Sequence, residues 1–155
     1  MSDPNAQSLF RLRVRYRKAG RLAYLGHLEV IHTIERIVRR AGLPYAVTQG
    51  FSPHMRVGFS SALPVGTSST CEWYDLFLTD LIPAPEAFER LLAASPADLA
   101  PDLAAYIDVK TPALTAQITR CEYRVMLHMA SGYESRGESI SGLIDDLLAE
   151  GPIEY

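Results

Sequence analysis

Near the start of the chain Arg11, Arg13, Arg15 and Arg17 interleave with Phe10, Leu12, Val14 and Tyr16. On a strand this alternation puts the arginines on one face, successive ones about 6.6 Å apart. That spacing is close to the spacing of phosphates along one strand of nucleic acid. Arg39, Arg40 and Arg56 add further cations, and Phe51 adds a ring able to stack on a base. Together Arg11, Arg13, Arg15, Arg17, Arg39, Arg40, Phe51 and Arg56 are the candidate nucleic-acid-binding residues. The competing reading of the row is pairing across the sheet with carboxylates such as Glu72, Asp75 or Asp108.

Two histidines are candidates for acid-base chemistry on a phosphate. His27 stands at the start of a helical pattern, where free backbone N–H groups attract an anion and the dipole lowers an imidazole's pKa. His54 lies in the Gly-, Pro- and Ser-containing stretch Thr48-Gln49-Gly50-Phe51-Ser52-Pro53-His54-Met55-Arg56. If that loop returns to the start of the helix, the two rings come within about 8 to 12 Å, flanking one phosphate. Taken alone, His27 reads more readily as a capping or packing residue. His32 reads as a helix residue, and His128 as one face of a later strand. Four scattered histidines and two distant cysteines, Cys71 and Cys121, form no metal-ligand spacing, so no metal or cofactor is expected. Both thiols are expected to be buried and reduced.

These residues need a scaffold. Phe10–Arg17 reads as a half-buried strand, and His27–Ala41 as an amphipathic helix with Leu28, Ile31, Ile34, Val38 and Ala41 inward. Gly42 and Pro44 stop that helix. Arg56–Ser60 and Thr70–Thr79 read as strands, with Tyr45–Thr48 weighed as a strand directly after the helix, Pro83–Ala94 reads as a helix and Asp102–Lys110 as a strand. The order predicts an α+β fold, a ferredoxin-like split βαβ antiparallel sheet with both helices on one face. Its expected core is Phe10, Leu12, Val14, Leu28, Ile31, Val38, Leu76, Leu78, Phe88 and Ile107. Residues 1–8 are expected to be disordered and 9–110 to form the ferredoxin-like core. Residues 111–155 are expected to start a second, incomplete strand-helix-strand unit packed on it, with a strand over Ile118–Met129 and a helix over Ser139–Glu150.

A chain of 155 residues, 48% hydrophobic and 21% charged, has the make-up of one ordinary globular domain. It contains no apolar run of membrane-spanning length and no signal-like N-terminus, so a cytoplasmic location is expected. Its net charge of −3 is unevenly placed. Residues 1–65 carry ten Lys or Arg against three Asp or Glu, and the remainder five against fifteen. Such asymmetry suits either a basic face for a polyanion or two halves that attract each other.

Four separated stretches carry a family resemblance: Tyr24-Leu25-Gly26-His27-Leu28-Glu29, Glu35-Arg36 through Arg39-Arg40-Ala41-Gly42-Leu43-Pro44, Gln49-Gly50-Phe51-Ser52-Pro53-His54, and Leu63-Pro64-Val65-Gly66. In that order they resemble the radical-SAM-associated domain of unknown function, found beside or fused to cobalamin-binding radical SAM proteins. The resemblance implies a cobalamin-binding radical SAM protein as partner and brings no catalytic residues with it. Lacking a three-cysteine cluster, the chain has no radical SAM iron-sulfur centre of its own. The shape is also similar, at fold level, to the RNA-binding domains of CRISPR repeat-processing endoribonucleases. The leading expectation is an accessory RNA-binding module working with a radical SAM protein in RNA modification or processing. The alternatives are a docking partner without nucleic-acid binding, and a metal-independent endoribonuclease using His27 and His54.

Overall fold

The structure, a computed structural model, describes residues 8–126 and 137–151. The chain divides into two units, Met1–Arg120 and Cys121–Tyr155. In the first, β1 (Phe10–Lys18), α1 (His27–Arg40), β2 (Val57–Phe59), β3 (Ser69–Leu78), α2 (Ala84–Ala94), β4 (Pro101–Ile107) and the one-turn α3 (Leu114–Gln117) follow in order. The strands form an open four-stranded antiparallel sheet in the order β2-β3-β1-β4. The architecture is therefore mixed α+β. In the second unit α4 spans Gly137–Ala149.

Period-two alternation decides which way the sheet faces. Leu12, Val14 and Tyr16 of β1 and Tyr74, Leu76 and Leu78 of β3 are buried in one cluster with Val30, Ile34, Ile37 and Val38 of α1 and Ala87 and Leu91 of α2. Each fully buried aliphatic side chain there stabilises the fold by about 1.5–3 kcal/mol. The register pairs Leu12 with Leu76 and Val14 with Tyr74, which sends Arg11, Arg13 and Arg15, together with Trp73, Asp75 and Phe77, to the opposite face.

Helix α1 is rotated from the sequence expectation. Leu28 is 68% exposed and Ile31 half-buried, while Val30 and Ile37 take the inner positions. At 100° per residue the inner stripe runs His27, Val30, Ile34, Ile37 and Val38, Ala41, so the helix commits its first residue, His27, to the packed side and turns Leu28 out. At its far end Gly42 adopts φ 63, the left-handed conformation that closes a helix without Cβ strain. Phe10, Phe88 and Ile107 are half-buried, and Ala87 and Leu91 hold α2 to the sheet.

Two stretches read as strands differ. Tyr45–Thr48 makes only isolated bridges, Tyr45 to Leu78 and Val47 to Met55. Ile118–Met126 forms no strand, because apolar alternation alone supplies no neighbour to hydrogen-bond with; the rest of that stretch, including His128, lies outside the described residues. Both cysteines are exposed instead of buried. Cys71 lies on the outer face of β3, before the stretch that β2 covers, and Cys121 in irregular chain.

Candidate functional site

The arginine row lies on the sheet face away from α1 and α2, and its charges are spent internally. Asp75, 1% exposed, accepts from both neighbours. Arg11 Nε and Nη2 reach its Oδ2 at 3.1 and 2.6 Å. Arg13 binds it in a fork, Nε to Oδ1 at 2.7 Å and Nη2 to Oδ2 at 2.9 Å. That hydrogen bond to Asp75 pushes the Arg13 pKa above its already high value, partly offset by burial. Arg11 is buried beneath the segment after β4, donating to the carbonyls of Val109 at 3.4 Å, Thr111 and Pro112 at 3.0 Å. Arg13 Nη1 donates to Gln117 Oε1 of α3 at 3.0 Å. Leu114, 4% exposed, anchors that same turn. Arg15 pairs with Asp102 of β4 at 2.7 Å and lies over the Trp73 ring, 5.8 Å from its centroid. Only Arg17, bonded to the Ala97 carbonyl at 2.8 Å, lacks a carboxylate among the described residues. The pairing reading anticipated Asp75 but not Asp102.

Of the remaining predicted binding residues, Arg56 and the loop bearing Phe51 lie at the sheet end near Leu78, whereas Arg40 lies beside Arg90, Ala93 and Ala94 of α2. Arg56 lies over Phe77, 4.4 Å from the ring centroid, and its backbone joins Phe77 and Ala46. The Thr48–His54 turn is closed by Thr48 N–H to the His54 carbonyl at 2.8 Å and His54 N–H to Thr48 Oγ1 at 3.0 Å. Phe51 projects from its tip, fully exposed. Arg39 pairs with Glu35 at 3.3 Å, whereas Arg40 has no ion pair among the described residues.

At the opposite end, where Lys18 faces Ser69, the structure assembles a group that the sequence reading did not foresee. Tyr16, Lys18, His27, Val30, Phe59, Ser60, Ser61, Leu63 and Glu72 line a small cavity of about 10 Å³, room for one water-sized group. Lys18 is 2% exposed as a residue; its ammonium makes no hydrogen bond or ion pair among the described residues and, since none of their buried side-chain nitrogens lacks a partner, it reaches solvent. Burial lowers its pKa from 10.5, with Glu72 opposing. Glu72 is engaged by Ser60 Oγ at 3.1 Å. The His27 ring stands edge-on to Phe59 at 6.0 Å, and burial raises the Tyr16 phenol pKa well above the usual tyrosine value, Glu72 adding to the effect.

Local chemistry explains this end. A bulge between Tyr16 and Lys18 precedes the 3-10 turn Gly20–Tyr24. Helix α1 then starts with Glu29 Oε2 accepting the Gly26 N–H at 2.8 Å. The Leu63–Gly66 stretch docks on that turn through Gly66 N–H to the Ala23 carbonyl at 3.0 Å, Gly66 adopting φ 85, a conformation that suits a residue without Cβ. Two of the four motif stretches, Tyr24–Glu29 and Leu63–Gly66, thus meet around the cavity. The other two, ending in Pro44 and His54, meet at the Leu78 end.

His27 and His54 are therefore not brought together. His27 rests on Phe59 at the Lys18 end. His54 lies beyond Met55 at the other end, five residues from Phe59, about 16 Å of extended chain. The loop leaves α1 at its C-terminal end and does not return to its start. Signals for the cavity were present in Lys18, which continues the inward positions of β1, and in His27, which continues the inner stripe of α1. Among the described residues no three His, Cys, Asp or Glu side chains are grouped to hold a metal ion, and no helix is long and apolar enough to cross a membrane.

The family described as "Uncharacterized protein conserved in bacteria (DUF2344)" matches residues 11–155. No curated protein and no solved structure matches the chain.

Proposed function

The chain belongs to this bacterial family, and on that premise we propose that it is an accessory docking module for a cobalamin-binding radical SAM protein. The observation that carries the reading is the neutralised arginine face. With Arg11 and Arg13 locked on Asp75 and Arg15 on Asp102, the outer face of the sheet is a shaped, internally satisfied surface. It offers few free charges to a polyanion. Such a surface suits a protein partner, for which fixed geometry and complementary potential set orientation. The radical SAM partner is taken from the resemblance of the four motif stretches. Strand order β2-β3-β1-β4, with one helix after β1 and one after β3, supports assigning the scaffold to the ferredoxin-like split βαβ class. The working location proposed is the cytoplasm.

An RNA-binding accessory role is the second reading. Arg17, Arg40 and Arg56, which have no carboxylate partner among the described residues, and the exposed ring of Phe51 favour it. Against an endoribonuclease working through His27 and His54 stands the packing of His27 on Phe59, while His54 lies on the far side of Met55.

Two measurements separate these readings. Size-exclusion chromatography with light scattering should show a stoichiometric complex with a cobalamin-binding radical SAM protein from the same organism. Fluorescence anisotropy with labelled single-stranded RNA at two salt concentrations should show weak binding at most. Tight, saturable RNA binding whose log affinity falls with log salt at about 0.7 per phosphate contact, with no protein complex formed, would reverse the order of the two.

A further inference from the structure

An open sheet leaves the outer edges of its first and last strands unpaired, and the two edges here are unlike. β2 is three residues long, whereas β4 runs for seven. The direction of the β4 backbone follows from its neighbour. Arg17 N–H donates to the Ala100 carbonyl at 3.3 Å, so the odd-numbered residues of β1 turn their backbone groups towards β4. Their partners Leu103, Ala105 and Ile107 complete that ladder. Ala104 and Tyr106 therefore direct N–H and C=O away from β1, and among the described residues no other backbone pairs with them. Their positions are fixed all the same, the Tyr106 hydroxyl donating to the Ile82 carbonyl at 2.7 Å. Edges of this kind are ordinarily blunted by charge, proline or a bulge. β4 has its proline and its bulge at Pro101 and Asp102, and from Leu103 to Ile107 it carries none of the three.

We propose that this edge pairs with the same edge of a second copy of the chain, antiparallel about Ala105, joining two sheets into one. Ala104 then exchanges both of its backbone hydrogen bonds with Tyr106 of the second copy, and Tyr106 with Ala104. Residues opposite each other across such a ladder share a face of the sheet, and this register matches like with like. Leu103, 39% exposed, meets Ile107 on the outer face, Ala105 meets itself, and Ala104 and Tyr106 meet on the helix side, where both already pack on the core. The centre is small and the paired stretch is uncharged. A register about Ala104 would draw in the bulged Asp102, which a regular ladder does not accept. One pair opposes the proposal, since Asp102 faces Asp108 of the second copy at each end. Asp102 is held by Arg15 at 2.7 Å and Asp108 accepts the Lys110 N–H at 2.7 Å, so each carboxylate has a donor of its own. An extended segment of another protein uses the same backbone bonds, but the self-matching, uncharged register favours a two-fold pair of copies. A ladder of this length buries less than the roughly 1,200 Å² of a stable interface, so the dimer dissociates on dilution. The proposal is independent of the docking reading, because it uses the edge of β4 and not the arginine face.

The test is sedimentation velocity of the full chain over a dilution series from submillimolar to submicromolar protein, together with amide hydrogen exchange read by NMR. The expected result is a monomer–dimer equilibrium in which protection of the Ala104 and Tyr106 amides rises with protein concentration. Ala104→Pro removes an N–H that the separate chain does not use, and Ala105→Lys sets two lysines face to face. Each should weaken the dimer about tenfold or more while leaving the unfolding midpoint close to that of the unaltered chain. A chain monomeric at every concentration, a dimer that survives both variants, or fast exchange of both amides within the dimer would each overturn the proposal. Monomers with both amides protected would overturn it too, by showing that the chain covers its own edge. The amide measurement on the unaltered chain keeps the test decisive if a variant fails to fold.

Discussion

Strand β1 presents cations to both faces of the sheet, and the two sets are treated in opposite ways. On the outer face Arg11 and Arg13 share the buried Asp75, and Arg15 has Asp102. On the helix side Lys18 ends the row Leu12, Val14, Tyr16, its stem packed like its apolar neighbours and its ammonium left to solvent. Paired cations of the first kind shape a surface. A cation whose stem is buried while its ammonium meets solvent keeps its hydration. The basic half of the chain thus contains a paired, structural set and a solvated cation, which net charge alone does not separate.

The largest effect should come from removing the shared acceptor. Asp75→Ala leaves Arg11, 5% exposed, and the half-buried Arg13 without a counter-charge, and is expected to cost about 3–5 kcal/mol in a urea unfolding experiment. A loss below about 1 kcal/mol would mean that the arginines re-pair, and the contrast between the two faces would fail. Next in size, Lys18→Met should change stability by less than about 1 kcal/mol, since the apolar stem is kept and the ammonium that is removed already meets solvent. A gain of about 2 kcal/mol or more would instead show that the ammonium is cut off from water.

The same contrast predicts a pH dependence. The folded-state pKa of Lys18 is lowered from 10.5, so between that lowered value and 10.5 the unfolded chain binds more protons than the folded one. Stability therefore rises with pH across that window, and the rise should vanish in Lys18→Met, measured by denaturant midpoints on the alkaline side. Tyr16 and Tyr74 act in the other direction. Burial raises both phenols above 10.0, so the unfolded chain ionises first and stability falls as pH climbs past 10.0. Smallest of all, Arg15→Ala should leave the unfolding midpoint unchanged within error, because its pair with the half-exposed Asp102 is open to solvent.

The alternation of Phe10 to Arg17, the stop at Gly42 and Pro44, and the apolar positions of β3 were legible because each is a local pattern with one physical meaning. The rotation of α1 was not, because Leu28 and Val30 are equally apolar. Which of them turns inward depends on where the 3-10 turn Gly20–Tyr24 sets the helix down. Ile118–Met126 read as a strand for the complementary reason: alternation states what one face prefers and says nothing of a neighbour.

By itself the sequence determined the order of elements in the sheet unit, the face of β1 that carries arginine and the presence of a basic half, all of which follow from residue type and period. Tertiary structure alone decided that Asp75 and Asp102 absorb the arginines, that His27 joins Lys18 while His54 lies at the other end, and that the two halves of the motif set divide between those ends. Period fixes the direction of a side chain relative to its own strand or helix. Its partners come from strands 60 to 90 residues away, such as Asp75 and Asp102, whose register the β1 sequence does not contain.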